Sequence, residues 1–180
     1  MISKVYWSYN LKRTNMEDRY SKFKKLNWLL SASFEAERVY YNAGEDVQQV
    51  ELKRFFNFES VNRNRFSYEI SEQLVQAGVE PEKEWIQKGN LDRDWREEKK
   101  ALTRSRPLKL LKKCRERDEE NLQLYDEILE EGKLPKEVLK ILKKQRSSII
   151  MSLEKAERFR TGEQVLDPSR RSKVVALKAM

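Results

Sequence analysis

Histidine is absent from this chain, and cysteine occurs once, at Cys114. Without histidine there is no imidazole base and no imidazole metal ligand. One cysteine cannot make an internal disulfide or a CxxC metal knuckle. With no base to activate it, Cys114 reads as a small core residue rather than a nucleophile. Glycine (5) and proline (4) are scarce among 180 residues, and no Gly/Ser/Pro-rich linker divides them. That composition favours one domain of long helices over a turn-rich sheet. No apolar run approaches a membrane span and no signal peptide is recognisable, so the expectation is a cytoplasmic protein without membrane contact. GxGxxG, P-loop and HExxH motifs are all missing, and a hydrolase triad would need the absent histidine.

Charge is plentiful, at 38% of residues and a net +8. Both signs are interleaved, as in "RDWREEKK" and "KKCRERDEE", which is the pattern of solvated helix faces. The densest basic group is Lys136, Lys140, Lys143 and Lys144 with Arg146. Together with the tail motif "SRRSK" it offers a nucleic-acid surface as one possible partner class.

Apolar residues recur at three- and four-residue steps in four segments, which predicts four amphipathic helices. The first runs from Met16 to Ala43 along Phe23, Leu26, Leu30, Phe34 and Tyr41, with Asn15 as its cap and Gly44 as its stop. Residues 1–15 have no helical period and read as an arm, with "KVYWSY" as a short strand at most. The second helix runs from Asp46 to Ala77 along Leu52, Phe55, Phe56, Phe66, Ile70 and Leu74, and Gly78 ends it. A long connection follows, with a short extra helix from Leu91 to Leu102 anchored by Trp85 and Trp95. The third helix runs from Pro107 to Glu131 along Leu108, Leu111, Cys114, Leu122, Tyr125 and Leu129. After a break at Gly132 and Pro135, the fourth reaches Arg160 along Val138, Ile141, Leu142, Ile149, Leu153, Ala156 and Phe159, and Gly162 ends it. Residues 161–180 form a basic, flexible tail. Short 1–2 and 3–4 connections make antiparallel hairpins, and the long 2–3 connection predicts an all-α, ferritin-like four-helix bundle with one crossover over residues 16–160.

Each apolar stripe is broken near its middle by a polar residue. These are Glu37 in the first helix, Glu59 and Asn62 in the second, Asp118 in the third, and Gln145 with Ser148 in the fourth. A lone buried carboxylate is costly, so interruptions at similar depth predict one shared polar layer. Di-metal carboxylate bundles place one Glu on each of two helices and Glu-x-x-His on the other two. Here both histidine slots hold neutral side chains, Asn62 and Ser148, and one carboxylate slot is the amide Gln145. The carboxylates left are Glu37, Glu59 and Asp118, an oxygen-only set better suited to Mg, Ca or Mn than to iron.

The segments "FEAERVYYNAGEDVQQVELKRFF", "FSYEISEQLVQAGVEPEKEW", "GNLDRDWREEKKAL", "RERDEENLQLYDEIL" and "LPKEVLKILKKQRSSI" carry a resemblance. In their order and spacing, from Leu26 to Phe159, the chain resembles the ferritin-like bacterial proteins of the DUF2383 group. The resemblance implies a ferritin-like bundle of about this length, without an established activity, in families discussed near stress response and iron handling. Relatives often carry histidine in the segments matching "FSYEI" and "NLDRDW", where this chain has Tyr68 and Asp92.

Three readings follow. In the first, the bundle needs no cofactor, is not an enzyme, and acts through protein interaction, as a homodimer or with another protein. Asn62, Gln145, Ser148, Tyr41 and Tyr125 then serve the carboxylates as donors, with Arg63 or Arg117 as charge partners. In the second, Glu37, Glu59 and Asp118 hold iron or manganese in an oxidase or storage role. In the third, the basic fourth helix and the tail bind nucleic acid.

Overall fold

No glycine or proline interrupts residues 1–43, so nothing in the backbone stops a helix from running through them. The computed structural model describes residues 2–81 and 107–162. Its first helix, α1 (Ile2–Asp46), covers 45 residues. The stretch expected as an arm is therefore helical. Asn15 does not cap a helix start, because the hydrogen-bonded ladder passes straight through it. Three further helices follow, α2 (Val50–Gln76), α3 (Pro107–Glu131) and α4 (Lys136–Thr161), with no strand among the described residues. The expected short helix from Leu91 to Leu102 and the tail beyond Gly162 lie outside the described residues.

Three of the four expected glycine stops are left-handed, with φ of 70° at Gly78, 58° at Gly132 and 74° at Gly162. Only glycine adopts that region at no steric cost, and it ends a helix by turning the chain. Gly44 differs. The helix continues past it to Asp46, and its role is close approach. A Cβ added there would run into the Asn57 amide group, with Phe56 Cβ in ordinary contact at 3.5 Å. Gly44 therefore lets the end of α1 lie against α2, and α2 starts at Val50 rather than Asp46.

α1 packs on α2 and α3, and α4 packs on α3 and α2. Cross-helix bonds from Lys25 to Glu127 and from Tyr40 to Asp118 show α1 and α3 antiparallel. Since α1 is also antiparallel to α2 through its short turn, α2 and α3 run in the same direction.

The core divides into two apolar clusters. One gathers Leu26, Leu30, Phe66, Ile70, Leu142 and Ile149 with their neighbours. The other gathers Tyr40, Leu52, Phe55, Phe56, Leu111 and Cys114. Along α2 the residues between them are Glu59, Asn62 and Arg63, all buried. Along α3 the residue is Asp118, and along α4 it is Ser152. The inward face of α1 runs through Ser33, Ala36, Tyr40 and Ala43. Tyr41, placed on the stripe by periodicity, is exposed, and Phe34 is half-buried. Small residues define that face, and a pattern weighted to large side chains selects the neighbouring one.

The close approach at Gly44 sets an expectation. Gly44→Leu should destabilise the bundle by about 1–3 kcal/mol through overpacking. Gly44→Ala should stay within about 1 kcal/mol of the parent, because its methyl crowds the rotatable end of exposed Asn57, touches Phe56 at ordinary contact distance, and gains helix propensity. Chemical denaturation of the two variants checks this, and a Leu variant as stable as the parent contradicts the packing.

Candidate functional site: a buried arginine between two carboxylates

Glu59 and Arg63 are four apart on α2, so their side chains share one face. That face continues the stripe of Phe55, Phe56 and Phe66, which carries both charges into the interior. Arg63 is 0% exposed, Asp118 0% and Glu59 3%. Charges this deep must be paired or pay heavily for lost hydration.

The guanidinium does the pairing. Arg63 Nε donates to Asp118 Oδ1 at 3.0 Å and Nη2 to Asp118 Oδ2 at 2.6 Å. This two-pronged fork is the strongest geometry open to an arginine and a carboxylate. Nη1 donates to Glu59 Oε2 at 3.1 Å. The Tyr40 hydroxyl donates to Asp118 Oδ2 at 2.6 Å and lies 3.4 Å from the Ser152 hydroxyl. Asn62 Nδ2 lies 3.4 Å from Glu59 Oε2. The rings of Tyr40 and Phe66 flank the guanidinium at 5.3 and 5.4 Å. All four helices thus contribute to one polar belt.

A second, smaller relay sits inside the neighbouring apolar cluster. Tyr125 donates to Gln145 Oε1 at 2.8 Å, and Gln145 Nε2 donates to Glu69 at 2.7 Å. Gln145 thus belongs to a different layer from Glu59 and Asp118. Glu37 is half-buried at the rim and accepts from Asn64 at 3.0 Å. Ser148 is half-buried on α4. Arg117, considered as a core partner, forms ion pairs with Glu35 and Glu120 on the surface. Tyr68, in the segment where relatives carry histidine, faces outward on α2. Asp92 lies outside the described residues.

Burial raises the Glu59 carboxyl above its ordinary range, against the downward pull of Arg63. For Arg63, burial works against the charge, but the Asp118 carboxylate overrides it and raises the guanidinium further. The Tyr40 hydroxyl is pushed well up by burial and then by Asp118. Burial likewise pushes the Cys114 thiol well up, which leaves it a poor nucleophile.

These residues do not fit a metal. Both Asp118 oxygens and Oε2 of Glu59 already accept hydrogen bonds from cationic or neutral donors, and the centre of the belt is filled by a fixed positive charge. Among the described residues no three His, Cys, Asp or Glu side chains gather in a way that could hold an ion. Glu37, Glu59 and Asp118 are therefore not one ligand set. The basic group on α4 is exposed at Lys136, Lys140, Lys143 and Lys144, while Arg146 is tied to Asp126. No helix among the described residues is long and apolar enough to cross a membrane.

Tyr40, Ser152 and Glu69 escaped the periodicity. Tyr40 had a usable signal, since it falls seven past Ser33 and between Ala36 and Ala43 on a face of small residues.

A family model described as a domain of unknown function, DUF2383, matches residues 21–131. No curated protein matches the chain.

Two outcomes test the belt. Asp118→Ala strands the guanidinium and should cost about 3–5 kcal/mol, as should Arg63→Met, whereas the Arg63→Met/Asp118→Leu pair should recover much of that loss. Equilibrium unfolding of the three variants measures the coupling, and additive losses would refute it. Glu59 binds its proton more tightly folded than unfolded. Its contribution is therefore present below the unfolded carboxyl pKa and lost as pH rises through the raised folded value. Glu59→Gln should accordingly gain stability relative to the parent between about pH 4 and pH 7. Paired melts at the two pH values read the sign of that change.

Proposed function

The chain belongs to the DUF2383 family, and from that premise we propose that it is a ferritin-like bundle without enzymatic activity, acting through protein contacts. One observation carries this reading: the Arg63 guanidinium stands between Asp118 and Glu59, where a carboxylate bundle of the di-metal type would hold its ions. The ferritin-like assignment is supported by helix order. α2 and α3 run in the same direction without packing side by side, so the connection between them returns the length of the bundle. Absence of catalysis is supported by the missing histidine and by the suppressed reactivity of Cys114. The proposal includes a cytoplasmic location, for which a lone cysteine is the support.

Elemental analysis of protein purified without chelator tests the reading. The expected result is substoichiometric iron and manganese, with no rise in melting temperature when either ion is added in excess. Stoichiometric metal that disappears in Glu59→Ala would overturn it.

A further inference from the structure

The outward face of α2 is unusual for a surface. Val50, Phe58, Val61, Tyr68 and Val75 are all more than half exposed, Tyr68 at 76%. They are not scattered. With Arg54, Arg65 and Glu72 they follow steps of four, four, three, four, three, four and three residues, which is one continuous stripe along the helix. Contiguous apolar surface of this kind marks an interaction site more often than isolated exposed residues do.

The order of residues within the stripe identifies the occupant. Read from its centre near Arg63, Val61 on one side matches Arg65 on the other, Phe58 matches Tyr68, Arg54 matches Glu72, and Val50 matches Val75. If a second α2 lies antiparallel across the first, each position meets its match. Arg54 then faces the partner's Glu72 and Phe58 faces the partner's Tyr68, each twice by symmetry. The charges favour this direction alone. Arg54 lies upstream of that centre and Glu72 downstream, so antiparallel pairing sets them opposite each other, whereas parallel pairing would set each against its own like. Arg54 makes no ion pair among the described residues and is available. Phe58 is held from one side by the Lys155 ammonium, 5.8 Å from its ring centre, and keeps 59% of its surface outside. A partner of unrelated sequence gives no reason for Phe58 to match Tyr68 and Arg54 to match Glu72 about one centre, where only the Val61–Arg65 position joins unlike side chains.

We infer that α2 forms an antiparallel, two-fold homodimer interface centred on Val61 and Arg65. This rests on the reading of the bundle as an interaction module and names its partner as a second copy of the same chain. Aromatic pairs at Phe58–Tyr68 form the apolar anchors, and the Arg54–Glu72 pairs at the ends set direction.

Sedimentation equilibrium of the full chain across the micromolar range tests it. The expected species is a dimer with twice the 21.6 kDa chain mass. Arg54→Glu alone and Glu72→Arg alone should each weaken dimerisation at least about tenfold by placing like charges together. Both sites are exposed, and circular dichroism confirms that the fold persists. Mixing the two variants restores both ion pairs in a heterodimer, so the mixture should associate where neither variant does. A parent chain that stays monomeric overturns the inference. So does a dimer insensitive to both reversals, which would place the interface elsewhere. A metal-free monomer removes the dimer and leaves the core reading intact, whereas a metal-loaded dimer does the opposite.

Discussion

The two hydrogen bonds from Arg63 to Asp118 are the contact on which the rest of the interior depends. They join α2 and α3, helices that run in the same direction without packing side by side. A long arginine stem can span that gap while its head stays paired. The bonds also fix register. Sliding α3 by one turn moves Asp118 about 5.4 Å, far beyond hydrogen-bond reach, and strands opposite charges in an apolar interior. The two apolar clusters on either side tolerate such a slide far better, because leucine and phenylalanine contacts are not directional.

The belt carries one cation and two carboxylates, so its charges do not cancel when all are ionised. Asp118 takes the fork of the guanidinium and the Tyr40 hydroxyl. Glu59 receives a single arm, and its carboxyl is raised by burial. The excess negative charge therefore falls on Glu59, where burial favours the protonated form. This division makes the belt a device for specificity more than for stability. Buried ion pairs rarely outperform well-packed apolar residues of the same volume, but they penalise every wrong arrangement.

Outside the core, charge plays a smaller part. Pairs such as Lys112–Glu116 and Arg117–Glu120 are solvent-washed and linked along a helix, and each adds little. Their main effect is to cover three helices with mixed charge. The outer face of α2, where exposed Val50, Phe58, Val61, Tyr68 and Val75 line up with Arg54 and Glu72 near its two ends, stands apart from that coating. A rigid belt inside and a self-complementary stripe outside occupy opposite sides of the same helix, so the bonds that set the pose of α2 also set the pose of its exposed face.

Four helices, the stops at Gly78, Gly132 and Gly162, and the burial of Glu59, Asn62, Asp118 and Gln145 are legible from residue order. These depend on local spacing: a polar residue three or four places from large apolar ones goes inward with them, and a glycine after the last apolar position turns the chain. Gly44 reads wrongly as a stop, and Tyr40 goes unmarked while its neighbour Tyr41 is chosen, for one shared reason. Both lie where α1 approaches its neighbours closely, and small side chains there signal contact rather than a break or an outward face. The arrangement of partners was decided by the tertiary structure alone. Nothing in the periodicity of α2 or α3 separates a belt centred on Arg63 from one completed by Arg117 or Glu37, or assigns Gln145 to its own relay with Tyr125. Spacing along a helix determines direction around its axis, while pairing depends on distances between axes, which arise only when four helices settle against one another.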